Sequence, residues 1–186
     1  MSSIIINHLH KIEEYSYLEL GVNDNVNFNS IKAKNKFSVD MNGKAMYTGT
    51  TDEYFNSLPA EEKFDIIFID ANHDYDYVVR DFNNSIDHAT KWILLHDMIP
   101  PSRKYVQSSR CSDSFKVLYY MLQETSFEIY PMDTNFGFTL IKLPATKINP
   151  AESYKSVSYA EFMEFIKTKK LYSDDEIINM LRSQDV

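Results

Sequence analysis

Apolar residues fall in short blocks along the chain, and the blocks alternate between two spacings. Phe64-Asp65-Ile66-Ile67-Phe68-Ile69-Asp70 is an almost unbroken apolar run ended by a carboxylate. A run of that length between polar flanks predicts a strand covered on both faces. Trp92-Ile93-Leu94-Leu95 predicts a second such strand, ended by His96-Asp97. Between them Val78, Phe82, Ile86 and Ala89 recur at helical spacing. They predict a helix over about residues 75–89, with Asp81, Asn84, Ser85 and His88 largely off its apolar face.

The same alternation frames this unit. Upstream, residues 8–14 predict a short helical lead-in and residues 17–22 a strand running into Gly21. Residues 23–31 predict a turn opening a short helix, and residues 37–40 a strand ending in Asp40. Met41-Asn42-Gly43 reads as a turn, Met46-Tyr47 as a minimal strand, and Thr50-Thr51-Asp52-Glu53 as a capped helix start. Downstream, a polar loop is expected over residues 98–113, a helix over 115–123, and two strands over 126–130 and 137–143. A connector over 144–156 leads to two short helices over 159–169 and 174–181. Strands alternating with helices predict an α/β fold: a Rossmann-like, doubly wound, mostly parallel sheet with a C-terminal antiparallel hairpin at its edge. No repeat or low-complexity linker interrupts residues 1–186, so one domain is expected, with its core at about 15–143 and a helical extension at about 150–186.

Composition narrows the partners. Hydrophobic residues make up 44% and aromatic residues 14%, enough to build a packed core. A formal charge of −8 disfavours a nucleic acid, whose phosphates need a basic footprint. The local basic clusters are at residues 32–36 and 167–170. Cys111 is the lone cysteine, which excludes an internal disulfide and fits a reducing compartment. The start lacks a signal-peptide pattern, and no apolar run reaches the ~18 residues of a membrane span. A cytoplasmic protein without a membrane partner is expected; a homodimer stays open.

The chemistry-bearing residues sit at predicted strand ends. Adjacent parallel strands bring those ends side by side, so Asp70, His73, His96 and Asp97 converge on one crevice. Two carboxylates and two imidazoles suit a divalent cation, and a histidine suits general-base work near neutral pH. The alternative is that the acids cap the following segments and the histidines are ordinary loop residues. Glu19-Leu20-Gly21-Val22-Asn23 is a second candidate. A glycine after the first strand lets a ligand approach the backbone, and Asp40, ending the next strand, stands where an acid binds ribose. No Gly-x-Gly-x-x-Gly occurs, and Asn23 and Asn25 stand where further glycines belong, which disfavours a dinucleotide and favours an unphosphorylated nucleoside. A plain turn and a plain helix cap remain the alternative. Thr51, in the small-residue turn Thr48-Gly49-Thr50-Thr51-Asp52, either lines an adenine pocket or belongs to an ordinary capped turn.

Taken together these segments resemble the class I S-adenosylmethionine (SAM)-dependent methyltransferases. The likeness is to the branch holding macrolide-sugar O-methyltransferases, cephalosporin-hydroxylase-like proteins and short bacterial and phage members. Residues 17–23 resemble that family's first motif and residues 48–55 its segment after the third strand. The most specific likenesses are an apolar strand ending Asp70-x-x-His73, followed one helix later by a strand ending His96-Asp97. Asp133-Thr134-Asn135-Phe136-Gly137 resembles part of the terminal hairpin.

The resemblance implies that Glu19, Gly21 and Asp40 contact SAM, and Asn23, Thr51 and Asp70 are expected to border it with them. It aligns Asp70 and Asp97 with metal ligands, places His96 where the sugar enzymes carry an acidic ligand, and places His73 at their catalytic base. The implied metal is Mg²⁺ or another divalent ion, because a histidine is a softer ligand than a carboxylate. The implied reaction is methyl transfer to a small, carbohydrate-like hydroxyl acceptor, with the loop over residues 100–113 and the C-terminal helices as an acceptor lid. A catalytically silent cofactor-binding module and a nucleotide-dependent oxidoreductase are the alternatives.

Overall fold

The computed structural model describes residues 2–9, 12–134 and 136–183. The chain order is α1 (Ser2–Ile6), β1 (Ser16–Leu20), α2 (Val26–Ser30), β2 (Asn35–Asp40), β3 (Tyr47–Thr48), α3 (Thr51–Ser57), β4 (Phe64–Ile69), α4 (Tyr75–His88) and β5 (Ala89–Leu95). There follow α5 (Arg103–Val106), α6 (Phe115–Glu124), β6 (Glu128–Pro131), β7 (Thr139–Lys142), a 3₁₀ turn (Glu152–Ser156), α7 (Tyr159–Ile166) and α8 (Asp174–Ser183).

The strands form one seven-stranded sheet in the order β3-β2-β1-β4-β5-β7-β6. The pairs β2/β3, β1/β2, β1/β4 and β4/β5 are parallel. β7 is antiparallel to both of its neighbours. The expected hairpin therefore forms, and its second strand inserts between β5 and β6. The outermost strand β6 then runs with the parallel body, and β7 is the reversed strand. Strand order turns back between β1 and β4, and ligands of such sheets bind in the crevice at the carboxyl ends flanking that switch.

Both faces of the sheet are covered, which is why its central strands read as apolar runs rather than alternating ones. Leu18, Ile67, Ile69, Ile93 and Leu95 face one cluster, with Phe82 of α4, Phe115 of α6 and Phe162 of α7. Tyr17, Ile66, Phe68, Trp92 and Leu94 face the other, with Ile5 of α1, Phe28 of α2 and Ile177 of α8. The C-terminal extension thus divides between the two layers. It passes the sheet edge at Tyr172, whose N–H donates to the Pro131 carbonyl at 2.9 Å and whose carbonyl accepts from Asp133 at 3.1 Å. This covers an edge strand that would otherwise offer unpaired backbone. No helix of the described residues is long and apolar enough to cross a membrane.

Three local expectations change. The helix near the start is Ser2–Ile6, not residues 8–14; of those, residues 12–14 form a turn and residues 10 and 11 lie outside the described residues. Asp81, Ser85 and His88 are buried although they lie off the apolar stripe of α4. α3 packs alongside α4, so the buried arc is wider than the stripe facing the sheet. Thr51 Oγ1 donates to Asp81 Oδ1 at 2.6 Å, and His88 Nδ1 meets the Glu62 carbonyl at 2.8 Å. Finally, the loop after β5 contains the short helix α5, and the connector contains the 3₁₀ turn.

Candidate active site

All nine residues singled out in the sequence line one cleft of about 1480 Å³ at the carboxyl ends of β1, β2, β4 and β5. One wall is Glu19, Gly21, Asn23, Asp40 and Thr51; the other is Asp70, His73, His96 and Asp97.

The first wall begins at the β1–α2 turn. Gly21 has φ +84°, and a Cβ there would lie 2.2 Å from the Asp70 carbonyl oxygen. The glycine is required by the end of β4 packed against it, before any ligand is considered. Asn23 (φ 46°) and Asn25 (φ 65°) also adopt left-handed conformations. Asparagine tolerates that region better than other residues with a Cβ, so these two do the conformational work of the missing glycines. Asp40 holds the turn from outside: Oδ2 accepts the N–H groups of Val22 at 2.8 Å and Asn23 at 3.0 Å, and Oδ1 accepts that of Asn42 at 2.9 Å. A carboxylate offers about four acceptor positions, so roughly one stays available to a ribose hydroxyl.

Glu19 lies at the floor. It is 1% exposed and takes hydrogen bonds from Tyr17 Oη at 2.6 Å and Asn27 Nδ2 at 3.1 Å. Burial pushes its carboxyl up to about 7, against the pull of those two donors. Thr51 stands at the start of α3, where Thr50 and Glu53 form a reciprocal capping box. The capped-turn reading thus holds for Thr50, while Thr51 spends its hydroxyl on Asp81 and still borders the cleft. Burial pushes Asp81 up to about 6, opposed by the Thr51 hydrogen bond.

The second wall gathers four donor side chains whose ligand atoms lie within 4.8 Å of one another. His96 Nδ1 is 3.1 Å from Asp70 Oδ1 and 3.2 Å from Asp97 Oδ1; His73 Nε2 is 3.3 Å from Asp70 Oδ1. Buried His73 Nε2, His96 Nδ1 and Asp97 Oδ1 nevertheless have no hydrogen-bond partner. They approach without the angles of a hydrogen bond, so they converge on a point rather than on each other. Two donors bound to one ion at about 2.1 Å lie about 3.0–3.4 Å apart, so these separations fit a divalent cation. Burial works against the charged form of His96, but the flanking Asp70 and Asp97 carboxylates outweigh it and push the imidazole up to about 10. Burial likewise works against the Asp70 carboxylate, and His73 and His96 outweigh it and hold the group below its usual range. His96 is fixed by edge contacts to Phe68 at 5.9 Å and Phe138 at 6.4 Å, whereas His73 rides on the loop before α4.

The mouth is bordered by the loop between β5 and α6, which adds Ser108, Ser109 and Arg110 to the lining. Ser114 Oγ donates to the Asp97 carbonyl at 2.7 Å, and Ser112 Oγ to Asp74. Asp113 Oδ1 accepts the Tyr75 N–H at 2.6 Å and so caps α4 from 38 residues away. Cys111 is fully buried here, and burial pushes its thiol up to about 12, so it is packing and not a nucleophile.

Residues 19–98 match the family model described as a methyltransferase domain. No curated protein matches the chain. Among solved structures, a putative O-methyltransferase from Klebsiella pneumoniae superposes with a TM-score of 0.57 at 14% identity, covering 77% of this chain and 79% of that one. The cofactor-bound protein Rv0187 from MTB gives 0.59 at 14% identity, with 75% and 78% covered. The O-methyltransferase TomG from Streptomyces achromogenes, in complex with SAM, gives 0.56 at 10% identity, with 77% and 78% covered. The chain has the class I methyltransferase fold, and its first half carries the methyltransferase-domain sequence pattern.

Proposed function

We propose that this protein is a SAM-dependent O-methyltransferase acting on a small, carbohydrate-like hydroxyl acceptor. The observation that carries the reading is the meeting of the two walls in one cleft at the strand-order switch, with the Asp70, His73, His96 and Asp97 donor atoms on one side and the β1–α2 turn with Asp40 on the other. The volume of about 1480 Å³ exceeds that of a usual single-ligand site, leaving room for cofactor and acceptor together. The relatives named above support the choice of cofactor, since TomG is described with SAM bound.

In this mechanism Gly21, Asn23 and Glu19 border the amino-acid end of the cofactor, Asp40 meets a ribose hydroxyl, and Thr51 borders the base. A bound sulfonium supplies an electrophilic methyl group. Asp70, His96 and Asp97 would hold a divalent ion, Mg²⁺ or one more tolerant of nitrogen, and such an ion lowers the pKa of a hydroxyl it binds. His73, beside Asp70, takes the acceptor's proton at Nε2 as its oxygen attacks. Much of the acceleration comes from holding the reactants in line between the two walls.

Calorimetry with SAM, S-adenosylhomocysteine (SAH) and NAD tests the reading. Binding of the adenosyl ligands below the millimolar range with NAD inert is the expected result. NAD binding without adenosyl binding would replace the reading with that of an oxidoreductase. SAM binding with no SAH released from any member of a hydroxyl-acceptor panel would leave a cofactor-binding module.

A further inference from the structure

Eight carboxylates line the cleft, and the two arginines among the described residues of its lining are Arg80 and Arg110. Arg80 is committed: its Nε lies 2.9 Å from Asp52 Oδ2, on the side of Thr51. Arg110 has no carboxylate partner among the described residues. Its guanidinium rests instead over the ring of Phe136, 5.2 Å from the centroid. That ring is held in place. Phe136 has φ 61°, its carbonyl accepts the Ile99 N–H at 2.8 Å, and Tyr105 meets it edge-on at 5.0 Å. The loop carrying Arg110 is tied to Asp97 through Ser114, so Arg110 belongs to the acceptor side of the cleft. Residues 102–110 hold Arg103, Lys104 and Arg110 and no acid, in a chain of net charge −8.

A free guanidinium on a fixed aromatic ring, with Ser108 and Ser109 beside it, is a seat for a planar or tetrahedral anion. We infer that Arg110 recognises an anionic group, a carboxylate or a phosphate, carried by the hydroxyl acceptor. The inference rests on the methyltransferase reading for the word acceptor and on Arg110 alone for the anion. It adds a negative charge to the carbohydrate-like hydroxyl acceptor that the resemblance implies. The three cations are spread over eight positions, so they do not form the dense run that marks a basic cluster in a sequence.

The test uses the full chain with EDTA present and titrates glucose, glucuronate and glucose 6-phosphate, each with and without saturating SAH, followed by amide chemical shifts. Both anionic sugars, or one of them, should bind at least about ten-fold more tightly than glucose, and the tighter one identifies carboxylate or phosphate. Arg110→Ala should erase that difference and leave SAH affinity within about two-fold, and Arg110→Lys should keep part of it. Glucose binding as tightly as the acids, silence from both acids into the millimolar range, or an unaffected Arg110→Ala protein overturns the inference. A ten-fold loss of SAH affinity in Arg110→Ala also overturns it, by moving Arg110 to the cofactor. Absence of SAH binding in the wild type defeats the methyltransferase reading separately, because the titrations without SAH still report on the anion seat.

Discussion

The Gly21 Cα and the Asp70 carbonyl oxygen are neighbours across the sheet, with no space for a methyl group between them. Gly21→Ala therefore meets both a clash and a left-handed φ. The variant should lose about 3 kcal/mol or more of folding stability in urea titrations. A loss under about 1 kcal/mol would mean that the β1–α2 turn relaxes freely, and that the glycine serves the ligand instead.

Glu19 links stability to pH. Its carboxyl ionises near 4.5 in the unfolded chain and near 7 in the fold, so the fold prefers the neutral form. That contribution is complete below pH 4.5 and is lost as pH rises through about 7. Glu19→Gln cannot ionise. Its stability relative to wild type should rise by about 3 kcal/mol between roughly pH 4.5 and pH 8. Parallel stability curves for the two proteins would place the Glu19 carboxyl in an ordinary environment.

His73→Ala separates base from ligand. Turnover should fall about 10²- to 10⁴-fold while SAM affinity stays within about two-fold. Mn²⁺ affinity, read by electron paramagnetic resonance, should also stay unchanged. A parallel loss of Mn²⁺ would make His73 a fourth ligand rather than the base.

Asp97 is best probed with Asn, because its φ of 58° is one that asparagine tolerates and alanine resists. Asp97→Asn should weaken Mn²⁺ binding by about ten-fold or more, and in EDTA it should unfold more readily, because His96 loses one of the two carboxylates that hold its charge. Unaltered Mn²⁺ affinity would remove Asp97 from the ligand set.

Much of this site was legible because strand ends are legible. The runs ending at Asp70 and Asp97 are near-continuous apolar blocks, and parallel pairing brings their ends together without further information. The reasons for individual residues were less legible. Gly21 answers to the backbone of Asp70, which is 49 positions away. Asp40 spends most of its acceptor capacity on its own turn, a contact that hydropathy does not carry. The insertion of β7 between β5 and β6 is a long-range choice, since Thr139, Leu140 and Ile141 are all buried and the run does not name its neighbours. Asp81 and His88 read as surface residues because α3, which buries them, has no signature in the periodicity of α4.

The cap on α4 has one more consequence. Asp74 makes no side-chain cap of its own helix, and Asp113 of the mouth loop accepts the Tyr75 N–H in its place. Whenever that loop lifts, the first turn of α4 loses its acceptor, so opening of the cleft and fraying of the helix end are a single event. The exchange of one amide hydrogen, that of Tyr75, is then a clock for traffic through the mouth, and it can be read before any acceptor is known.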